Sequence, residues 1–201
     1  LDIEKQFIAE RKIYMKVDSY LQRYLSRAGY IGAEILKTPI GMRIIIYSDR
    51  PAMVIGRKGM TIKEIARILE QKFGLENPQI DVVPIQNPDL NAKIMAYRIA
   101  RAIVRGVRFR RAAFIALRRI MAAGARGAEI IISGKLGTSG RARFEKFRSG
   151  VVIKSGEPGD KLVDEASVDV LLKPGMYGIK VRIMPPLKRP DEFTLKESTG
   201  V

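Results

Sequence analysis

The 201 residues carry 37 Lys and Arg against 21 Asp and Glu, a formal charge of +16 that no His modulates near neutral pH. A hydrophobic fraction of 46% is enough to build one large core or two small ones, and the cationic surplus requires a polyanion, nucleic acid first, because neutralised phosphates release condensed counterions. The absence of Cys and His excludes disulfide frameworks, thiolate metal sites and the commonest general base, and no apolar run is long enough to span a bilayer.

In chain order, Asp2 to Ala28 mixes charges with Ile3, Phe7, Ile8, Ile13, Tyr14, Val17, Leu21, Tyr24 and Leu25, which predicts one or two amphipathic helices stopped by Gly29. The charge alternation from Leu1 to Arg11 is unlike a signal peptide, so a cytoplasmic protein is expected. Ala33 to Thr38 reads as a strand ended by Pro39, and Met42 to Tyr47, with three consecutive Ile, as a strand buried on both faces. A helical turn, Pro51 to Ile55, runs into Gly56-Arg57-Lys58-Gly59. Ile62, Ile65, Leu69 and Phe73 then recur at helical spacing up to Gly74, and Gln79 to Ile85 is the next strand. The turn-rich segment Gln86-Asn87-Pro88-Asp89-Leu90-Asn91 is the best candidate for a domain boundary.

The second half opens with two helices. Met95, Ile99, Ala102 and Ile103 share one face of the first, while Arg98, Arg101, Arg105 and Arg108 advance along the other. In the second, Phe109, Ala113, Ala116 and Ile120 form an apolar stripe opposite Arg111 and Arg118. Strands follow at Glu129 to Ser133, Ser167 to Lys173 and Gly178 to Met184, the last two joined by Pro174-Gly175, with Val168, Val170, Leu172, Ile179, Val181 and Ile183 pointing inward. A basic stretch from Lys135 to Lys154 lies among them.

Gly56 to Gly59 is one of several Gly-x-x-Gly spacings; six others start at Gly29, Gly124, Gly134, Gly137, Gly156 and Gly175. Its context separates it: buried strand, short helix, a loop tipped by Arg57 and Lys58, amphipathic helix, strand. That order resembles the core of a KH domain, whose loop clamps a nucleotide backbone. Glycines let phosphates approach, and the following helix offers unpaired N–H groups and a positive dipole end. The arginine run from Arg98 to Arg111 contains no acidic residue, so phosphate is its expected counter-charge. Arg141, Arg143, Lys146 and Arg148 interleave with Phe144 and Phe147, which suits either base stacking on a basic surface or a strand that buries Phe144. The carboxylates Asp160, Asp164, Glu165 and Asp169 read as loop and strand-surface charges, no Walker pattern is present, and neither a catalytic residue, a metal, a cofactor nor a small-molecule substrate is expected.

The stretches 50–59, 73–80, 108–113, 132–136 and 178–184 resemble the universal small-subunit ribosomal protein S-three family in its archaeal-like form. The resemblance implies an α+β protein: a type II KH domain over 1–86, a linker at 87–91, a C-terminal α+β domain over 92–186 with a helix pair on a small, mostly antiparallel sheet, and a flexible tail over 187–201. It further implies binding to small-subunit rRNA in the head of the subunit, a place beside the channel where mRNA enters, and neighbours of the S-ten and S-fourteen families, with no membrane partner. In bacterial relatives three basic residues on the second-half helix help unwind mRNA; two correspond to Arg110 and Arg111, and the third position is Phe114, with Arg118 and Arg119 nearby. The expected RNA-contacting set is therefore Gly56, Arg57, Lys58, Gly59, Arg98, Arg101, Arg105, Arg108, Arg110, Arg111, Arg118, Lys135, Arg141, Arg143, Lys146 and Arg148. Two other functions compete: a free-standing KH regulator of particular RNAs, and a lyase that cuts abasic DNA through a Lys Schiff base, as reported for some eukaryotic relatives.

Overall fold

The computed structural model describes residues 3–38, 41–75, 77–137 and 140–186, and the chain divides into two compact units between Pro88 and Asp89. The strand stop expected at Pro39 and the tail after Pro186 lie outside the described residues.

The first unit follows the order helix, two strands, two helices, strand. Helix α1 (Ile3–Tyr24) buries Val17 and Leu21, spaced four apart, with Leu25 completing the stripe just past its end. The amphipathic pattern expected along its whole length holds only for this C-terminal half, since Phe7, Ile8 and Met15 are exposed. A short 3₁₀ turn, Ser26–Ala28, and left-handed Gly29 lead into β1 (Tyr30–Thr38), which starts before the expected Ala33. Strand β2 (Gly41–Ser48) pairs antiparallel with β1 and parallel with β3 (Gln79–Pro84), giving the order β1-β2-β3.

Contrary to the expectation of a strand buried on both faces, β2 buries Ile44, Ile46 and Ser48 on one face, with Ile45 only half-buried on the other. Period-2 geometry with helices on one side explains this: a run of three Ile puts only its outer pair on the covered face. The parallel β2–β3 pair requires a crossover, supplied by α2 (Pro51–Ile55) and α3 (Met60–Phe73). Val54, Ile65 and Leu69 of these helices close the core over Ile44 and Ile46, each such fully buried side chain contributing about 1.5–3 kcal/mol.

The second unit sets two helices on a four-stranded sheet. Asn91 caps α4 (Ala92–Val104) by accepting from the Ile94 N–H at 3.1 Å, and Asp164 accepts from the Ala92 N–H at 2.7 Å. Asp164 thus has a structural task and is not a plain surface charge. Helix α5 (Phe109–Ala122) follows after a turn at Gly106. Strands β4 (Gly127–Gly134), β5 (Arg143–Gly150), β6 (Asp164–Leu172) and β7 (Gly175–Met184) pair antiparallel throughout in the order β5-β4-β7-β6. The short helix α6 (Glu157–Leu162) precedes β6. Ile130, Ile132, Ile179, Val181 and Ile183 form the sheet side of the core against Met95, Ile99, Ala113 and Ile120.

Candidate nucleic-acid interface

The loop between α2 and α3 is shaped by two glycines with different duties. Gly56 sits at φ 74°, ψ 179°, and a Cβ there would lie 2.0 Å from Thr61 Oγ1, so the position admits Gly alone. Gly59, at φ 74°, ψ 15°, has open space around it and starts α3 without a side-chain cap, although the first helical N–H, that of Met60, donates to the Arg57 carbonyl. Between them Arg57 and the left-handed Lys58 are exposed and hold no ion pair among the described residues. Met53, Ile55 and Met60 are exposed beside the loop. Sequence reasoning passed over them; their signal was apolar side chains at positions outside the stripe of Ile65 and Leu69.

The arginines of the helix pair do not form the single ridge expected. Helix α4 ends at Val104, Arg105 is its exposed C-cap, left-handed Gly106 turns the chain, and Arg108 is the exposed N-cap of α5. Arg98 and Arg101 remain on α4 and are half-buried, and Arg98 is hydrogen-bonded to Asp89. The expectation that no carboxylate relieves this run fails because it counted only residues 98–111, whereas Asp89 lies just before the helix and Glu145 on a distant strand. Arg111 and Arg118, seven apart on α5, are exposed and hold no ion pair among the described residues. Phe114 meets Phe147 edge-on with ring centroids 5.3 Å apart.

Strand β5 sorts the basic stretch by parity. Phe147 points into the core and is buried, while Phe144 is 65% exposed. A strand that buries Phe144 is therefore the wrong register: Phe144, Lys146 and Arg148 share the face turned away from the helices, and Lys146 Nζ stands 5.7 Å from the Phe144 ring centroid. Arg141 and Lys135 are exposed on the loop between β4 and β5.

Arg110 is the best-held of these cations. Its Nε donates to Glu145 Oε2 at 2.9 Å and its Nη2 to Oε1 at 2.7 Å, a two-pronged pair that the guanidinium plane is shaped to make. Hydrogen bonding to Arg110 holds the Glu145 carboxyl below the usual carboxylate range, and the same bonds raise Arg110. The pair lines a cleft of about 440 Å³ with Arg108, Phe109, Leu136, Gly137 and Arg143. Among the acidic residues set aside as charges, Glu165 accepts from Arg182 Nε at 2.6 Å and is ion-paired with Lys180, and the described residues contain no acidic cluster able to hold a metal.

Residues 16–90 match the family described as the KH domain, and residues 99–183 match the family described as ribosomal protein S3, C-terminal domain. The chain is thus of the class in which a KH module precedes a ribosomal α+β domain. It is similar to small ribosomal subunit protein uS3 of Thermofilum pendens, at 64% identity over 98% of this chain and 97% of the relative. Similarity extends to uS3 of Saccharolobus solfataricus, 52% identical over 100% of this chain and 87% of the relative, and of Methanocaldococcus jannaschii, 46% identical over 99% and 96%. The chain belongs to the ribosomal protein S3 family.

Proposed function

We propose that the protein is a structural constituent of the small ribosomal subunit, in the cytoplasm, that holds RNA and performs no chemistry. The observation that carries this reading is the near full-length similarity to small-subunit proteins named uS3. The surface supports the RNA part: Arg57 and Lys58 on one unit, and Arg105, Arg108, Arg111, Arg118, Arg141, Arg143, Lys146 and Arg148 on the other, are exposed. In this reading those cations, with Lys135, Arg98, Arg101, Arg110, Gly56 and Gly59, contact rRNA phosphates in the head of the subunit. The α5 face, through Arg110, Arg111 and Arg118, borders the path by which mRNA enters, and proteins of the S-ten and S-fourteen families are the neighbours. With Phe114 packed on Phe147, any strand separation by α5 falls to these arginines.

Sedimentation tests the assignment: the protein travels with small subunits and is released by high salt. A pool that stays off subunits and selects particular RNAs would instead mark a free-standing regulator. For the loop, Arg57→Asp with Lys58→Asp lowers the salt dependence of RNA binding by about two phosphate contacts. An unchanged slope removes the loop from the interface.

A further inference from the structure

The cleft at the start of α5 combines a cationic lining with an internal anion. Arg108 and Arg143 face it without an ion pair among the described residues, whereas Arg110 is engaged by both oxygens of Glu145. Three guanidinium groups and one carboxylate leave a surplus of two positive charges in a space of about 440 Å³, large enough for a phosphodiester. A phosphate presents the same pair of parallel acceptor oxygens that Glu145 presents to Nε and Nη2. Both partners are accessible, the Arg110 side chain being 67% exposed and that of Glu145 31%, and an ion pair so open to water is separated at small cost.

We propose that Glu145 is a built-in phosphate mimic: it occupies Arg110 while the cleft is empty and yields that guanidinium to an RNA phosphate gripped as well by Arg108 and Arg143. The inference rests on the RNA-binding reading above and adds its regulation at this cleft. Its physical consequence is selectivity. A lone anion meeting Arg110 must compete with a carboxylate tethered beside it and meets that carboxylate's repulsion. A phosphate within a strand that also engages Arg108 and Arg143 brings enough attraction to exchange.

The test compares the full-length protein with Glu145→Gln and with the double variant Arg108→Ala, Arg143→Ala. Binding of a short single-stranded oligouridylate is measured by fluorescence anisotropy across a salt series, and NMR follows the Arg110 Nε–H signal. Glu145→Gln keeps the side-chain shape and one acceptor oxygen but removes the charge. The expected result is binding tighter by about threefold to tenfold at low salt, with the Arg110 signal moving on RNA addition in the wild type. A double variant that weakens binding beside a Glu145→Gln variant that binds no tighter overturns the mimic and leaves the RNA surface standing. Unchanged binding by the double variant removes the cleft from the RNA surface, and the mimic falls with it. Circular dichroism melts of each variant separate these results from unfolding.

Discussion

Lys154 reaches the carboxylate of Glu129 on the sheet face opposite the helices, its Nζ lying 2.9 and 2.7 Å from the two oxygens. Glu129 is only 1% exposed, although it sits in β4 between strands whose outward residues are charged. The strand-to-helix segment after β5 returns over this end of the sheet. It packs so closely that a Cβ on Gly127 would lie 2.2 Å from the Val151 carbonyl oxygen. The ammonium compensates the buried charge and donates a hydrogen bond to Oε1, while Oε2, within ion-pair distance, accepts no hydrogen bond among the described residues. Lys154→Ala is expected to destabilise the second unit by about 2 kcal/mol, less than a fully buried pair would cost because water reaches the lysine side. The pair Glu129→Leu, Lys154→Met recovers most of that loss. Urea titration monitored by hydrogen exchange of β4 amides checks both, and a Lys154→Ala variant as stable as the wild type refutes the role.

The two loop glycines separate by variant. Gly56→Ala forces a side chain into Thr61 at a backbone angle that only Gly adopts readily, and an expected loss of about 3 kcal/mol follows. Gly59→Ala meets no neighbour and loses about 1 kcal/mol from the left-handed backbone alone. Equal losses at the two positions, read from protection of α3 amides, would show that the close approach to Thr61 does not matter.

Much of the fold was legible because glycine and proline punctuate it where the backbone turns. Pro51 opens α2, Gly74 closes α3 in a left-handed cap, and the Ile65–Leu69 repeat and the alternation of Ile179, Val181 and Ile183 point where they are packed. Strand β5 was hidden inside a basic stretch because both of its faces carry charge: Lys146 and Arg148 outward, Glu145 on the other parity drawn to Arg110 across the sheet edge. The helical ridge was misjudged for the same reason. Spacing rules see neighbours three or four residues away, whereas Asp89 stands nine residues from Arg98 and Glu145 thirty-five from Arg110. The N-terminal half of α1 showed the converse error: an apolar pattern promises a buried face, yet β1 meets this half through the Lys37–Glu10 ion pair and leaves Phe7 and Ile8 exposed.

Tyr30 is 1% exposed and its hydroxyl donates to Asp18. Burial, and then this hydrogen bond, push its ionisation far above the ordinary tyrosine range. Because the folded value lies above the unfolded one, the stabilisation is complete below pH ~10 and is lost as pH rises beyond it, where the unfolded chain ionises and the folded chain does not. Between pH 10 and 11 the first unit is expected to lose about 1 kcal/mol more in the wild type than in Tyr30→Phe. Parallel alkaline unfolding curves for the two proteins would contradict the assignment.

The neighbouring phenylalanines of β5 divide the two physical meanings an aromatic residue among arginines can have. Phe147 lies in the core against the helices, with Phe114 on its edge, so Phe147→Ala is expected to cost about 3 kcal/mol of stability. Phe144 stands on the opposite face, 65% exposed under the Lys146 ammonium, and Phe144→Ala is expected to change stability by less than about 0.5 kcal/mol. If its ring stacks on a base, the same change weakens binding of a short single-stranded oligonucleotide by about 1 kcal/mol, or roughly fivefold, with the salt slope unchanged because no phosphate contact is lost. A salt-independent loss of affinity is the signature of stacking and distinguishes it from a charge effect transmitted through Lys146. If Phe144→Ala instead lowers the slope while affinity at high salt is kept, the ring only positions its lysine, and the aromatic platform is disproved.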